Sequence, residues 1–295
     1  MPVHSNALVF LIAAAIFLFI YSFTSRAVVQ PQEQSHSSRL SPVPSSLINT
    51  QSLLDKHVIG FYKAHAPQRK SMFNAALKSL KASVPQVLLP IVEEVFCPSL
   101  VRVGSVGDGG KWVCNPWATP RNGVVFSLGS HDDISFETDF QKITNTAASI
   151  ITVDMNAASK AALEGLSQIN AVFVHAMIAD KTELAATPPH FTVQDLMKKM
   201  KHEHIEILKM DIEGAEFTVL PQFLKSNSVC QIMVEIHTIS ETPKLLRAIA
   251  NAGFLLQKYE LNAFWTGIGL CEYSFLHESC LEKYGAVLLA SYLKE

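Results

Sequence analysis

A chain of 295 residues, 48% of them hydrophobic, can bury one sizeable core and is expected to form one catalytic-sized domain. Its formal net charge of −2 lacks the basic excess that a nucleic-acid-binding surface needs, so no nucleic-acid partner is expected.

A six-residue tail, residues 1–6, leads into the apolar run Ala7–Phe23, "ALVFLIAAAIFLFIYSF". Such a run is at the short end of what crosses a bilayer. It also exceeds the roughly 7–15 apolar residues of a cleaved signal peptide, so residues 7–23 are expected to be a retained single-pass transmembrane anchor. The small residues at Ser25-Arg26-Ala27 keep cleavage open as the alternative reading. Residues 24–52 are rich in Ser, Pro and Gln and poor in aromatics, too little apolar surface to offset the entropy of ordering, and read as a flexible stem.

Residues 53–95 show helical spacing, as in Phe73, Leu77 and Leu80, broken by Pro85 and Pro90, and are expected to form a helical lead-in to the main domain, residues 96–295. The five cysteines offer two short loops, Cys97/Cys114 and Cys271/Cys280, that would close in an oxidising lumen and leave Cys230 over. Buried free thiols are the alternative. Anchor, stem and cysteines together point to the secretory pathway (Golgi or ER) with the folded domain lumenal, although Arg26 just after the apolar run mildly opposes that orientation.

The next stretch, "VRVGSVGDGGKWVC" (Val101–Cys114), places β-type residues around Gly107-Asp108-Gly109-Gly110 and predicts a β-hairpin or sharp loop, with Asp108 as a turn residue. A nucleotide P-loop does not fit, because Lys111 leads into Trp112 rather than Ser or Thr. Trp112 and Trp117 are expected to cover the core, with an acceptor cleft as the other possibility.

From there apolar strands are predicted at Gly123–Leu128, Ile150–Val153, Ala171–Ala176, Ile205–Met210 and Gln231–Ile236. Between and after them lie predicted helices at Phe136–Thr146, Ala157–Gln168, Val193–His202, Glu216–Leu224 and Pro243–Ala252. This alternation argues for an α/β fold with a doubly wound, mostly parallel sheet. Aromatic stretches around Tyr259 and Tyr273 suit an antiparallel edge, and Leu281–Leu293 reads equally as helix or strand.

In an open parallel sheet, ligands bind beyond the carboxyl ends of the strands. Behind the first strand, "SLGSHDDISFE" offers Gly129, where backbone could approach a ligand, with Ser130, His131, Asp132 and Asp133. Asp132 and Asp133 equally suit the start of the following helix. Asp154 follows the second strand, where a carboxylate can hold ribose hydroxyls or cap a helix. The third strand holds His175, read as a core histidine, and leads to Ala179 and Asp180. The fourth delivers Asp211, Glu213 and Glu216, of which the two glutamates also suit the positive end of a helix. His237 follows Glu235 at the end of the fifth, and meets the others only if those two strands are neighbours.

The texts "GDGGKWVC", "VVFSLGSHDDISFE", "ITVDMN", "LKMDIEGAEFTVL" and "MVEIH", in that order, resemble S-adenosylmethionine-dependent methyltransferases of the FkbM-like kind, and more closely the animal methyltransferase-like 24 group. The resemblance covers about Cys97–Ser274. It implies a Rossmann-like, seven-stranded sheet binding S-adenosylmethionine, with Gly129 near the amino-acid part, Asp154 on the ribose, Ala179–Asp180 beside adenine and Asp211 facing the methyl donor. The cofactor-binding candidates are Gly129, Ser130, Asp154, Met155, Ala179, Asp180 and Asp211. This sequence departs from the pattern in its first loop, where many methyltransferases carry two or three glycines and only Gly129 remains.

The expected activity is transfer of a methyl group to an unknown acceptor, a hydroxyl oxygen by preference, with Asp211, Glu213 and His237 as catalytic candidates for proton removal. A divalent cation held by the carboxylates is a further possibility, with no ligand set assigned. Two other readings stand beside this one. A lumenal metal-dependent glycosyltransferase would use Asp211-Ile212-Glu213 as a D-x-D-like motif, and a non-catalytic methyltransferase-fold binding protein would keep the pocket without turnover.

Overall fold

The computed structural model describes residues 54–295 except 80, 147, 228 and 263–269. The expected anchor (7–23) and the whole of the stem (24–52) lie outside the described residues, and among the described residues no helix is long and apolar enough to cross a membrane.

Helix α1, Lys56–Lys78, starts where the Asp55 carboxylate accepts the His57 backbone N–H, and it buries Phe73 and Ala76. A short helix α2, Val84–Leu88, begins at a reciprocal cap between Ser83 and Gln86. Then come β1 (Val95–Phe96) and an antiparallel hairpin of β2 (Leu100–Val103) and β3 (Lys111–Cys114), whose connecting loop turns through Gly104 and Gly109, both at positive φ.

The central elements follow in the order β4 (Val124–Leu128), α3 (Ser135–Ile143), β5 (Ser149–Asp154), α4 (Lys160–Gln168), β6 (Val172–His175), β7 (Met177–Ile178), β8 (His190–Phe191), α5 (Val193–Lys199), β9 (Ile207–Met210), α6 (Glu216–Leu224), β10 (Gln231–Ile236) and α7 (Thr242–Asn251). The chain closes with β11 (Phe254–Leu261), β12 (Cys271–His277), α8 (Leu281–Tyr284) and β13 (Val287–Leu288). The five sequence-predicted strands and five predicted helices are all present, with ends shifted by up to three residues as fraying and capping dictate. Leu281–Leu293, ambiguous in sequence, contains both a helical turn and a strand, β13, that pairs with β1.

The main sheet has seven strands in the order β11-β12-β10-β9-β4-β5-β6. Strands β10, β9, β4, β5 and β6 run parallel, and β12 and β11 add antiparallel at one edge. The chain moves outward from β4 to β6, then returns to lay β9 on the other side of β4. The carboxyl ends of β4 and β9 therefore flank the point where strand order reverses, the place where such sheets leave a crevice.

Alternation along the strands sorts the core onto two faces. Phe126, Leu128, Leu208, Met210 and Val234 pack with α5, α6 and α7, whereas Val125, Ile207 and Met233 pack with Phe136 and Phe140 of α3 and with Val103 and Val113 of the hairpin. The hairpin is attached through Gln231 of β10, whose side-chain amide accepts from the Cys114 N–H at 2.8 Å and donates to its carbonyl at 2.9 Å.

One expected cysteine pair forms, Cys97–Cys114; the other does not. Cys280 bonds Cys230, and Cys271 is the free, buried thiol. Cys271 begins the seven-residue strand β12 while Cys280 follows its end, so a strand's length of about 20 Å separates them. Antiparallel pairing of Gln231 with Leu276 instead brings the residue before β10 beside the turn after β12.

Candidate active site

A cavity of about 720 Å³ opens at the carboxyl ends of β4, β5, β9 and β10. Its walls include Gly129, Ser130, Asp154, Met155, Asp211, Glu213 and His237, so seven of the sequence-predicted residues converge on one crevice. Ala179 and Asp180 do not join them. The cavity wall on that side is Ala176, Met177 and Ile178; Ala179 is drawn away by its N–H bond to the Phe191 carbonyl, and the Asp180 carbonyl accepts from Gln222. The short pair β7/β8 causes the offset, because it turns the chain off the sheet immediately after β6.

The first loop is shaped by contact between strands rather than by room for a ligand. Gly129 has φ of 81°, and a Cβ there would lie 1.7 Å from the Asp211 carbonyl oxygen. His131 and Asp132 also take left-handed conformations, φ 45° and 64°, which glycine would adopt without steric penalty. Asp154 fixes this loop. Its Oδ2 accepts the N–H groups of Ser130 (2.9 Å) and His131 (2.7 Å), and its Oδ1 accepts that of Asn156 (2.7 Å). A carboxylate has about four acceptor positions, so capacity remains for a hydroxyl of a bound ligand. Asp133 accepts the N–H of Ser135 at the start of α3, as a start-of-helix residue does, whereas Asp132 reaches across to the N–H of Ser159, ahead of α4. His175, expected in the core, is exposed and its Nε2 faces the Met155 carbonyl at 3.1 Å.

Strands β9 and β10 are neighbours, so His237 reaches the acids that follow β9. Its Nδ1 is 3.1 Å from Glu216 Oε1, which also accepts the His237 backbone N–H at 2.9 Å. Its Nε2 lies 3.6 Å from Asp211 Oδ1 and 3.4 Å from Glu213 Oε2. Burial alone would lower the imidazole pKa, but the hydrogen bond and charge of Glu216, with Asp211 and Glu213, lift it to about 9. Glu216 is fully buried; burial works against its charge, yet His237 holds its carboxyl below the usual range. Its role is to orient His237, more than to complement a helix end.

The hairpin adds a group that sequence reasoning passed over. Lys111, 1% exposed, brings its Nζ to 3.6 Å from both Asp211 Oδ2 and Glu235 Oε2, and it hydrogen-bonds Glu272 Oε1. Glu235 and Glu272 stand directly opposite each other in the β10/β12 register. Burial, then the charges of Glu272 and Asp211, push the Glu235 carboxyl up to about 8. Asp211 goes the other way: burial is outweighed by the charges of Lys111 and Lys209 and a hydrogen bond from Glu235, so its pKa is lowered. Near neutral pH, Asp211 is thus an anion and Glu235 carries the proton that the pair shares. Lys111 stays charged because its three carboxylate neighbours overcome its burial.

Asp211, Glu235 and His237 each offer a ligand atom within 4.8 Å of the others, as a divalent cation would need. The Lys111 ammonium already faces two of the three, so an added cation there meets a fixed positive charge. The signal for Lys111 and Glu235 in the sequence is a charged residue inside an apolar strand pattern, "KWVC" and "IMVEIH".

No curated relative matches the sequence. Among solved structures, the precorrin-6Y C5,15-methyltransferase of Geobacter metallireducens is 10% identical over 55% of this chain and 84% of that one, with a TM-score of 0.37. The fibrillarin pre-rRNA processing protein of Methanococcus jannaschii is 10% identical over 64% and 96%, with a TM-score of 0.37. TrmK of M. capricolum, solved with S-adenosylhomocysteine, is 9% identical over 55% and 66%, with a TM-score of 0.35. A family profile described as a methyltransferase domain matches residues 87–277, well over half of the sequence and all of the strands that build the cavity, and the chain belongs to that methyltransferase family.

Proposed function

We propose that this protein moves the methyl group of S-adenosylmethionine to an oxygen nucleophile, in the cavity at the strand-order reversal. The observation that carries the reading is the convergence of Gly129, Asp154, Met155, Asp211 and His237 on that one crevice, in a chain of a methyltransferase family. When bound, the cofactor supplies an electrophilic methyl, so the protein has to place the acceptor in line and take its proton. Asp154 has acceptor capacity left for ribose hydroxyls, and Met155, half exposed in the cavity wall, offers an apolar surface beside it. The proton goes to the Asp211/Glu235 pair. Asp211 alone, with its lowered pKa, is a weak base; the pair takes that proton with the strength of its second ionisation, at about 8, once it has lost the proton that Glu235 holds near neutral pH, so transfer rises with pH toward that value. His237, held by Glu216, keeps Asp211 oriented and ionised, and Glu213 closes the rim.

The domain works on the lumenal side of a secretory-pathway membrane, tethered by residues 7–23. Support comes from two disulfides that use four of the five cysteines, an arrangement that persists in oxidising compartments and is rare in the cytosol. Calorimetric titration of the oxidised protein with S-adenosylmethionine and S-adenosylhomocysteine tests the reading, followed by radiolabelled methyl donor with fractionated extract. Micromolar binding with label transfer to a base-stable, hydroxyl-bearing acceptor is expected. Failure to bind either nucleoside rejects it.

A further inference from the structure

The charged side chains of the cavity wall are unequal in sign. Six carboxyl groups line it, those of Asp108, Asp133, Asp154, Asp211, Glu213 and Glu235. Among its described lining residues two cations stand against them, Lys209 and the protonated His237, and the ring of His237 is already engaged by Glu216, Asp211 and Glu213. Lys209 is 3% exposed, on the central strand β9 between Ser127 of β4 and Met233 of β10. Its ammonium donates to the Gly129 carbonyl at 2.8 Å, the only hydrogen bond it makes among the described residues. Two of its three N–H donors have no protein acceptor there. The Asp211 anion is near enough to act on this ammonium but gives it no hydrogen bond, and the two open donors point to a ligand that supplies the missing acceptors.

On the reading that the cavity takes S-adenosylmethionine, the ligand's charges sort themselves against this wall. Its sulfonium and α-ammonium are cations and suit the acids, and its one anion is the α-carboxylate. We infer that Lys209 binds the carboxylate of the cofactor's methionine end, and that the Gly129 carbonyl, being engaged by Lys209, positions that ammonium instead of receiving the cofactor. Lys209 is thereby the residue that distinguishes the intact amino-acid end of the cofactor from adenosyl compounds lacking a carboxylate.

The test compares two ligands that differ in that group alone, S-adenosylmethionine and decarboxylated S-adenosylmethionine, titrated calorimetrically into the full oxidised chain. Charge-assisted hydrogen bonds of this kind correspond to roughly 10–100-fold in affinity. Wild type is expected to prefer the carboxylated ligand by that factor. Lys209→Met should lose roughly that factor for S-adenosylmethionine and less than about 3-fold for the decarboxylated compound, whose retained binding shows that the variant is folded. Lys209→Arg should keep part of the preference. Equal affinity of the wild type for both ligands overturns the assignment without any variant, as does an unchanged preference in Lys209→Met. A wild type that binds neither ligand overturns the cofactor reading itself, a result distinct from both.

Discussion

Glu235 makes the folded protein sensitive to pH in a way that can be measured without a known acceptor. Its carboxyl titrates at about 8 in the folded state, against 4.5 for an ordinary glutamate. Between those values the folded chain holds a proton that the unfolded chain has released. A folded pKa raised in this direction contributes stability below pH 4.5 that is lost as pH rises toward 8. One proton of difference gives a slope of about 1.4 kcal/mol per pH unit at most, so from pH 5.5 to 7.5 this group removes about 2 to 3 kcal/mol. His237, raised to about 9, acts with the same sign above its ordinary value of 6.5, so the slope must be read as a difference. Urea unfolding of wild type and Glu235→Gln at pH 5.5, 6.5 and 7.5 isolates it, since glutamine keeps the shape and the acceptor for Asn262 but cannot ionise. Wild type should lose about 2 to 3 kcal/mol relative to the variant over that range, roughly 1 M in midpoint if the urea slope is near 3 kcal/mol/M. Parallel stability curves would show that Glu235 is already ionised at pH 5.5 and would refute the shared-proton description of the pair.

Three further outcomes are expected. His131→Gly should relieve a left-handed conformation and stabilise the protein by up to about 1 kcal/mol, a rise of roughly 2–4 °C in a thermal scan; a lowered midpoint would mean that the imidazole makes a contact the loop depends on. Asp154→Ala should cost about 2–4 kcal/mol in urea unfolding, because three backbone N–H groups lose their acceptor, and an unchanged midpoint would remove Asp154 as the clamp of the first loop. Alkylation of the chain unfolded without reductant should label Cys271 alone. Label on Cys230 or Cys280 would contradict the pairing, whose closed loops, with separations of 17 and 50 residues, correspond to about 3 and 4 kcal/mol of chain entropy.

The parallel core was readable in the text because each of its strands is a short apolar run followed by an amphipathic helix, a pattern that depends only on near neighbours in sequence. Gly129, Asp154 and Asp211 were readable for the same reason, since each sits at the end of such a run. What sequence could not supply were pairings between distant segments. Lys111 belongs to a hairpin that reads as a loop motif, and nothing local says that its ammonium enters a cluster with residues 100 to 161 positions away. Glu272 meets Glu235 only through the β10/β12 register, and the same register decides that Cys230, not Cys271, bonds Cys280. Ala179 and Asp180 fall just beyond the cavity wall, which ends at Ile178, because β7 and β8 turn the chain aside, and at two residues each they are too short to leave a periodic signal.

The hairpin's lysine also ties the reaction chamber to a segment outside the main sheet. Without β3, Glu235 and Glu272 face each other across β10 and β12 with no cation against Glu272 among the described residues, while Asp211 keeps the charges of Lys209 and His237. Lys111 supplies the missing charge, and the loop that precedes it, with Asp108 and Gly109, walls the cavity, so closing this side of the chamber and satisfying its acids are one event.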